Sequence, residues 1–87
     1  MAIFRMREVK IETGHRSHAS IYTAIKEGLF TKSISIGERS VGWPDYEVKA
    51  IVQARIAGQT DEQIKVLVNR LYENRAALVH QVQQVQA

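Results

Sequence analysis

The sequence predicts a mainly α fold with a small β-hairpin and a long C-terminal helix. Three observations carry that expectation. Apolar residues recur at three- and four-residue spacing in four stretches. Gly14, Gly28 and Gly58 each stand where one of those stretches ends, and between Ile34 and Trp43 the spacing drops to two. The chain has 87 residues, 45% of them hydrophobic and 24% charged. That suffices for one small domain that folds rather than stays disordered, at a size where folding buries only about 60–65% of the surface the unfolded chain exposes.

The first helix is expected over residues 5–13, where Met6, Val9 and Thr13 share one face and Arg7, Glu8, Lys10 and Glu12 point elsewhere. Gly14 is its natural stop, because glycine enters the left-handed conformation without a Cβ clash. Ser17 then suits the N-cap of a second helix, HASIYTAIKEG, with Ile21, Ala24 and Ile25 as the buried stripe and Gly28 as its end. Two short helices across a tight glycine-containing turn form a helix-turn-helix. Leu29 and Phe30 are expected to plug the core below it.

Ile34-Ser35-Ile36 and Val41-Gly42-Trp43 alternate on either side of Gly37-Glu38-Arg39-Ser40, which reads as a hairpin with a four-residue loop. Ile34, Ile36, Val41 and Trp43 are expected to face the helices, with Arg39 at the exposed tip. Pro44 suits a helix start, and the acids after it suit the positive helix end. The third helix is expected over residues 45–57, with Val48, Ile51, Val52 and Ile56 as its apolar face. Thr60 and Gln63 have the spacing of a capping box and open a fourth helix. Ile64, Leu67, Leu71, Leu78, Val82 and Val85 recur along it, making a rod of roughly 35 Å. Asn74 takes one seam position, and Gln81, Gln83, Gln84 and Gln86 give polar, frayed last turns.

Charge is unevenly placed. The net charge is +3. Residues 1–43 carry Arg5, Arg7, Lys10, Arg16, Lys26, Lys32 and Arg39 against Glu8, Glu12, Glu27 and Glu38, whereas residues 44–87 balance five bases with five acids. Any polyanionic partner is therefore expected to meet the first half. Cysteine is absent, which removes disulfides, thiolate metal sites and thiol nucleophiles. No apolar run approaches the roughly 20 residues that span a bilayer, and no signal-like stretch opens the chain. A cytoplasmic protein with no membrane partner is the expectation.

A short helix fits the major groove of B-DNA, and a neighbouring hairpin can reach the backbone or minor groove. On the second helix the residues turned from Ile21 and Ile25 are His18, Ala19, Tyr22, Thr23 and Lys26, with Ser20 at the margin. Arg16 and Ser17 stand at the helix start, where backbone N–H groups attract phosphate. An ordinary solvated face is the competing reading. Arg39 suits a phosphate or narrow minor groove, or is a solubilising turn residue. Lys26 and Lys32 are candidate phosphate grips or plain surface lysines. Trp43, alone in an alternating strand, reads as core rather than as a stacking platform for bases.

His15 and His18 lack a nearby carboxylate or thiolate and His80 lies in the other half, so no metal or other cofactor is expected. Paired carboxylates, a nucleophile elbow and a phosphate-cradling glycine loop are all lacking, which points away from catalysis. The apolar stripe of the fourth helix must be buried against the first 58 residues, a second copy, or both. Because symmetric dimers are the commonest oligomers, Ile64, Leu67, Leu71, Leu78 and Val82 are candidate contacts with a second copy, with simple back-packing as the alternative.

Ile21-Tyr22-Thr23-Ala24-Ile25-Lys26-Glu27-Gly28-Leu29-Phe30, the segment Ile34-Ser35-Ile36-Gly37-Glu38-Arg39-Ser40-Val41-Gly42-Trp43, and Ala54-Arg55-Ile56-Ala57 together resemble the AlpA family of phage and prophage DNA-binding regulators, related to excisionases and MerR-like proteins. The resemblance covers roughly residues 4–57. It implies a winged helix-turn-helix domain over residues 1–58, in which residues 17–27 enter the major groove and the hairpin with Arg39 acts as the wing. Residues 59–87 lie outside the family's usual extent and take no function from the resemblance; the expectation that they form a C-terminal dimerisation helix rests on their apolar stripe. The resemblance also implies double-stranded DNA as partner and a role in prophage transcription, with RNA polymerase or an integrase as protein partners. An excisionase-like directionality factor is the alternative within the family, and an interaction module built on the last helix is the alternative outside it. The stretch 14–17 is one residue longer than the family's usual turn, and Thr31 and Ser33 stand where prolines are common.

Overall fold

The computed structural model describes residues 2–86, with side chains as far as Leu78. Element order is β1 (Ile3–Phe4), α1 (Met6–Thr13), α2 (His18–Lys26), β2 (Ile34–Gly37), β3 (Ser40–Pro44), α3 (Asp45–Ile56) and α4 (Asp61–Gln86). The fold is mainly α with a small antiparallel sheet, as the patterning predicts. No helix among the described residues is long and apolar enough to cross a membrane.

The punctuation residues act as their chemistry requires. Gly14 ends α1 at φ 77°, and its N–H donates to Lys10 O at 2.9 Å. Ser17 caps α2 by accepting the Ser20 N–H on its Oγ at 3.2 Å. At the start of α4 the box closes in both directions: Gln63 N–H donates to Thr60 Oγ1 (3.2 Å) and Thr60 N–H donates to Gln63 Oε1 (2.8 Å).

The sheet has the order β1-β3-β2. Two paired residues are too few to leave a period-two signature, so β1 is absent from the sequence reading. It pairs Ile3 with Pro44 and Phe4 with Trp43, and Asp45 N–H donates to Ala2 O at 2.8 Å. The hairpin is tighter than expected. Gly37 pairs with Ser40, leaving a two-residue turn, Glu38-Arg39, and the register shifts between Ser35 and Gly37. Ile36 is the extra residue of that bulge, and an extra residue breaks the alternation of faces. The inward set is corrected accordingly. Trp43 is fully buried and Ile34 half-buried, whereas Ile36 and Val41 remain exposed.

The core joins Val9, Ile21, Phe30, Trp43, Val48, Ile51 and Ala54 to Ile64, Val68 and Leu71 of α4. Trp43 packs tilted on Phe30 with ring centroids 6.0 Å apart, and its Nε1–H donates to Thr31 O at 2.7 Å. On α3 the expected stripe is corrected at one end. Val48 and Ile51 are buried and Val52 half-buried, but Ile56 is 81% exposed and Ala54 takes the inward place. Position 56 lies roughly 140° around the helix from Ile51, off the i, i+3 line through 48, 51 and 54. Glu47 is completely buried, which composition gave no reason to expect.

Candidate nucleic-acid interface

Helix α2 is anchored by Ile21, with Ala24 and Ile25 half-buried beside it, which turns the opposite arc to solvent. Arg16, Ser17, His18, Ala19, Tyr22, Thr23 and Lys26 are all exposed, as are Lys32 and Arg39. Among the described residues no side-chain hydrogen bond or ion pair engages Arg16, His18, Tyr22, Lys26 or Arg39. The hydroxyls of this helix are differently placed. Ser17 Oγ is spent on the cap. Ser20 is half-buried, with its Oγ 2.7 Å from His15 Nδ1 and donating to Ser17 O at 3.3 Å. Thr23 Oγ1 donates to Ala19 O at 2.9 Å, which leaves its lone pairs free to accept.

His15 therefore works in the turn. Its backbone N–H reaches Thr13 Oγ1 at 3.4 Å, and Thr13 Oγ1 donates to Val9 O at 2.7 Å. The 14–17 turn is thus tied to both helices it joins. No local sequence pattern marks this link. Among the described residues, no three His, Asp or Glu side chains gather as metal ligands. Behind α2, a cleft of about 540 Å³ opens toward α3 over Ala24, Leu29, Phe30, Ile51 and Val52.

Electrostatically the two halves differ as the sequence suggests. The ion pairs among the described residues are Arg55–Asp61 at 2.9 Å, Lys65–Glu62 at 3.6 Å and Arg75–Glu47 at 2.6 Å. None uses a cation from residues 1–43. Those seven charges therefore stand without a carboxylate partner among the described residues, and a polyanion would meet no internal competitor for them.

Lys32 differs from Arg39 in being held. Its backbone N–H donates to Tyr72 Oη at 2.9 Å, its carbonyl accepts Arg75 Nη2–H at 2.8 Å, and its ammonium lies 5.9 Å from the Tyr72 ring centroid. Arg75 also donates to Glu47 through Nε (2.7 Å) and Nη2 (2.6 Å). That bond to Glu47 raises the guanidinium pKa above its ordinary value against the opposing effect of burial. None of Glu47, Tyr72 or Arg75 carries a sequence signal, because partners 28 and more residues apart leave no local pattern.

The residues expected to meet a second copy are divided. Ile64 and Leu71 are buried in this chain's own core and so are withdrawn from any such contact. Leu67 is half-buried and Leu78 is 38% exposed. Val82 lies outside the described side chains, with His80 and the terminal glutamines.

No curated protein and no solved structure matches the chain. Residues 2–56, from the strand before α1 to the end of α3, match the family model described as prophage CP4-57 regulatory protein (AlpA). The stretch that folds into the helix-turn-helix, hairpin and third helix is the stretch that carries the match, and the chain belongs to the AlpA family of prophage regulatory proteins.

Proposed function

We propose that this chain is a sequence-specific double-stranded DNA-binding regulator of prophage transcription, and a binding protein rather than an enzyme. In this reading α2 lies in the major groove. His18, Tyr22 and Thr23 face base edges, while Arg16 and Lys26 meet phosphates at the two ends of the helix. The hairpin serves as a wing whose Arg39 meets the backbone or a narrow minor groove, and Lys32 grips phosphate beside it. The observation that carries the proposal is the set of cations in residues 1–43 that enter no ion pair among the described residues, with a net excess of positive charge there, combined with an outward arc of unengaged donors on a capped nine-residue helix.

Self-association is part of the proposal in reduced form. With Ile64 and Leu71 covered, a second copy has Leu67, Leu78 and the 60%-exposed Val66 to meet on the described part of α4. Light scattering measures the outcome, and a monomer at all concentrations removes this element while leaving DNA binding standing.

Selection from a pool of random duplexes, followed by methylation interference, tests the main reading. A short enriched motif, with interference at guanine N7 in the major groove, is expected. A pool that stays random through repeated rounds would overturn sequence-specific recognition.

A further inference from the structure

Residues 31–33 join α2 and Phe30 to the hairpin, and among the described residues their peptide groups make no backbone–backbone hydrogen bond. Thr31 is buried, Ser33 half-buried and Lys32 exposed, and the partners their backbone groups take decide what fixes the segment. They go to other elements. Thr31 O accepts the Trp43 indole N–H, Lys32 N–H donates to Tyr72 Oη, and Lys32 O accepts from Arg75. Two of those three anchors come from α4, which lies beyond the family match over residues 2–56.

The anchor is built on a buried charge pair. Glu47 is 0% exposed, and a buried carboxylate is tolerated only when its charge is matched and its lone pairs are used. Arg75 supplies both through a forked contact, and the planar fork leaves Nη2 aimed at Lys32 O. The Tyr72 ring lies 5.4 Å from Arg75 Cζ, and its hydroxyl points at the neighbouring peptide N–H. Within the hairpin, β3 is held by its pairing with β1 and by the buried Trp43, so β2 is the strand that depends on this anchor. Strand β2 sits at the edge of the sheet and is paired on one side only, to β3 across a shifted register.

We propose that Tyr72 and Arg75 of α4 are positioning residues for the hairpin, and that they set how strongly Arg39 contributes to DNA binding. The fourth helix thereby acts inside the same chain, as the strut that fixes the wing relative to α2. This rests on the DNA-binding reading for its consequence, but its structural half stands apart from that reading.

The test uses the full chain carrying Tyr72→Phe and Arg75→Lys together. The lysine keeps a cation beside Glu47 but cannot fork between Glu47 and Lys32 O. Amide exchange and emission of Trp43, the one tryptophan of the sequence, report the hairpin and linker without DNA. Exchange in the hairpin should quicken by about tenfold while amides in α1 and α3 keep their protection. In DNA titrations, the weakening caused by Arg39→Ala should shrink by roughly fivefold in the double variant, a non-additivity that a purely stabilising contact would not produce.

Unchanged hairpin exchange with an unchanged Arg39 effect overturns the proposal. If the parent binds no duplex, exchange alone decides the clamp, and the DNA reading fails separately. Should the double variant unfold, Tyr72→Phe alone removes one oxygen and leaves Arg75 on Glu47. A rise in hairpin exchange in that variant supports the clamp, and a flat result overturns it.

Discussion

His18, Tyr22 and Lys26 extend from α2 with their polar ends unengaged, whereas Ser17 and Ser20 spend theirs on the turn. Substitutions should sort along that line. Ser17→Ala removes a cap and should cost about 1 kcal/mol of stability in denaturant titration, with no change in which base is preferred. His18→Ala and Thr23→Val should alter the selected motif, because they remove groups that can bond a base edge. Arg39→Ala should weaken binding to every duplex alike, so equal loss across sequences for the α2 changes would contradict this division of labour. Asp45 gives a residue-scale pH effect. The Ala2 backbone amide holds its carboxyl below the ordinary aspartate range, aided by the Tyr46 amide and Lys49 and opposed by desolvation. A depressed folded-state pKa means stability that is present above the unfolded value near 3.8 and lost as pH falls through the lower folded value. Acid unfolding should therefore lose part of its steepness below about pH 4 in Asp45→Asn.

At the scale of elements, legibility followed locality. Gly14, Ser17 and Thr60-Gln63 act on neighbours within four residues, so their roles stand in the sequence itself. The faces of the hairpin do not. A two-residue β1 and a bulge at Ile36 both depend on which strand lies alongside, and an alternating pattern carries no record of either. The same holds for Ile56, whose apolar side chain fits the expected stripe but whose angular position turns it outward. Gly42 shows what the sheet requires in compensation. A Cβ there would clash with Ile3 Cγ2 and stand 3.0 Å from the Phe4 carbonyl oxygen. Ile3 can rotate away, but the backbone oxygen cannot without disturbing the β1–β3 pairing. Gly42→Ala should cost about 1–3 kcal/mol in equilibrium unfolding, and an unchanged unfolding midpoint would refute the close approach.

The whole molecule joins two parts that the sequence presents as separable. Positive charge, helix-turn-helix and hairpin occupy residues 1–58, and the sequence leaves open whether the stripe of residues 59–87 packs on them or on a second copy. Ile64, Val68 and Leu71 instead complete the core, and Tyr72 and Arg75 hold the segment before the hairpin. Burying three such side chains stabilises by on the order of 5–9 kcal/mol, comparable with the roughly 4–13 kcal/mol expected for a chain of this length. A fragment ending at residue 58 should therefore lack the near-ultraviolet circular dichroism of packed Trp43, and a folded fragment would contradict this dependence. The candidate DNA surface was legible because exposed cations and outward donors follow from helix periodicity. Its support was not, because a carboxylate buried at position 47 and the arginine that neutralises it meet only in the folded chain. Fluorescence anisotropy of the full chain with duplex DNA at several salt concentrations tests DNA binding itself. With about six phosphates neutralised, log K should fall against log salt with a slope of about −5. A slope near zero, or no binding at low salt, would contradict a cationic DNA-binding surface.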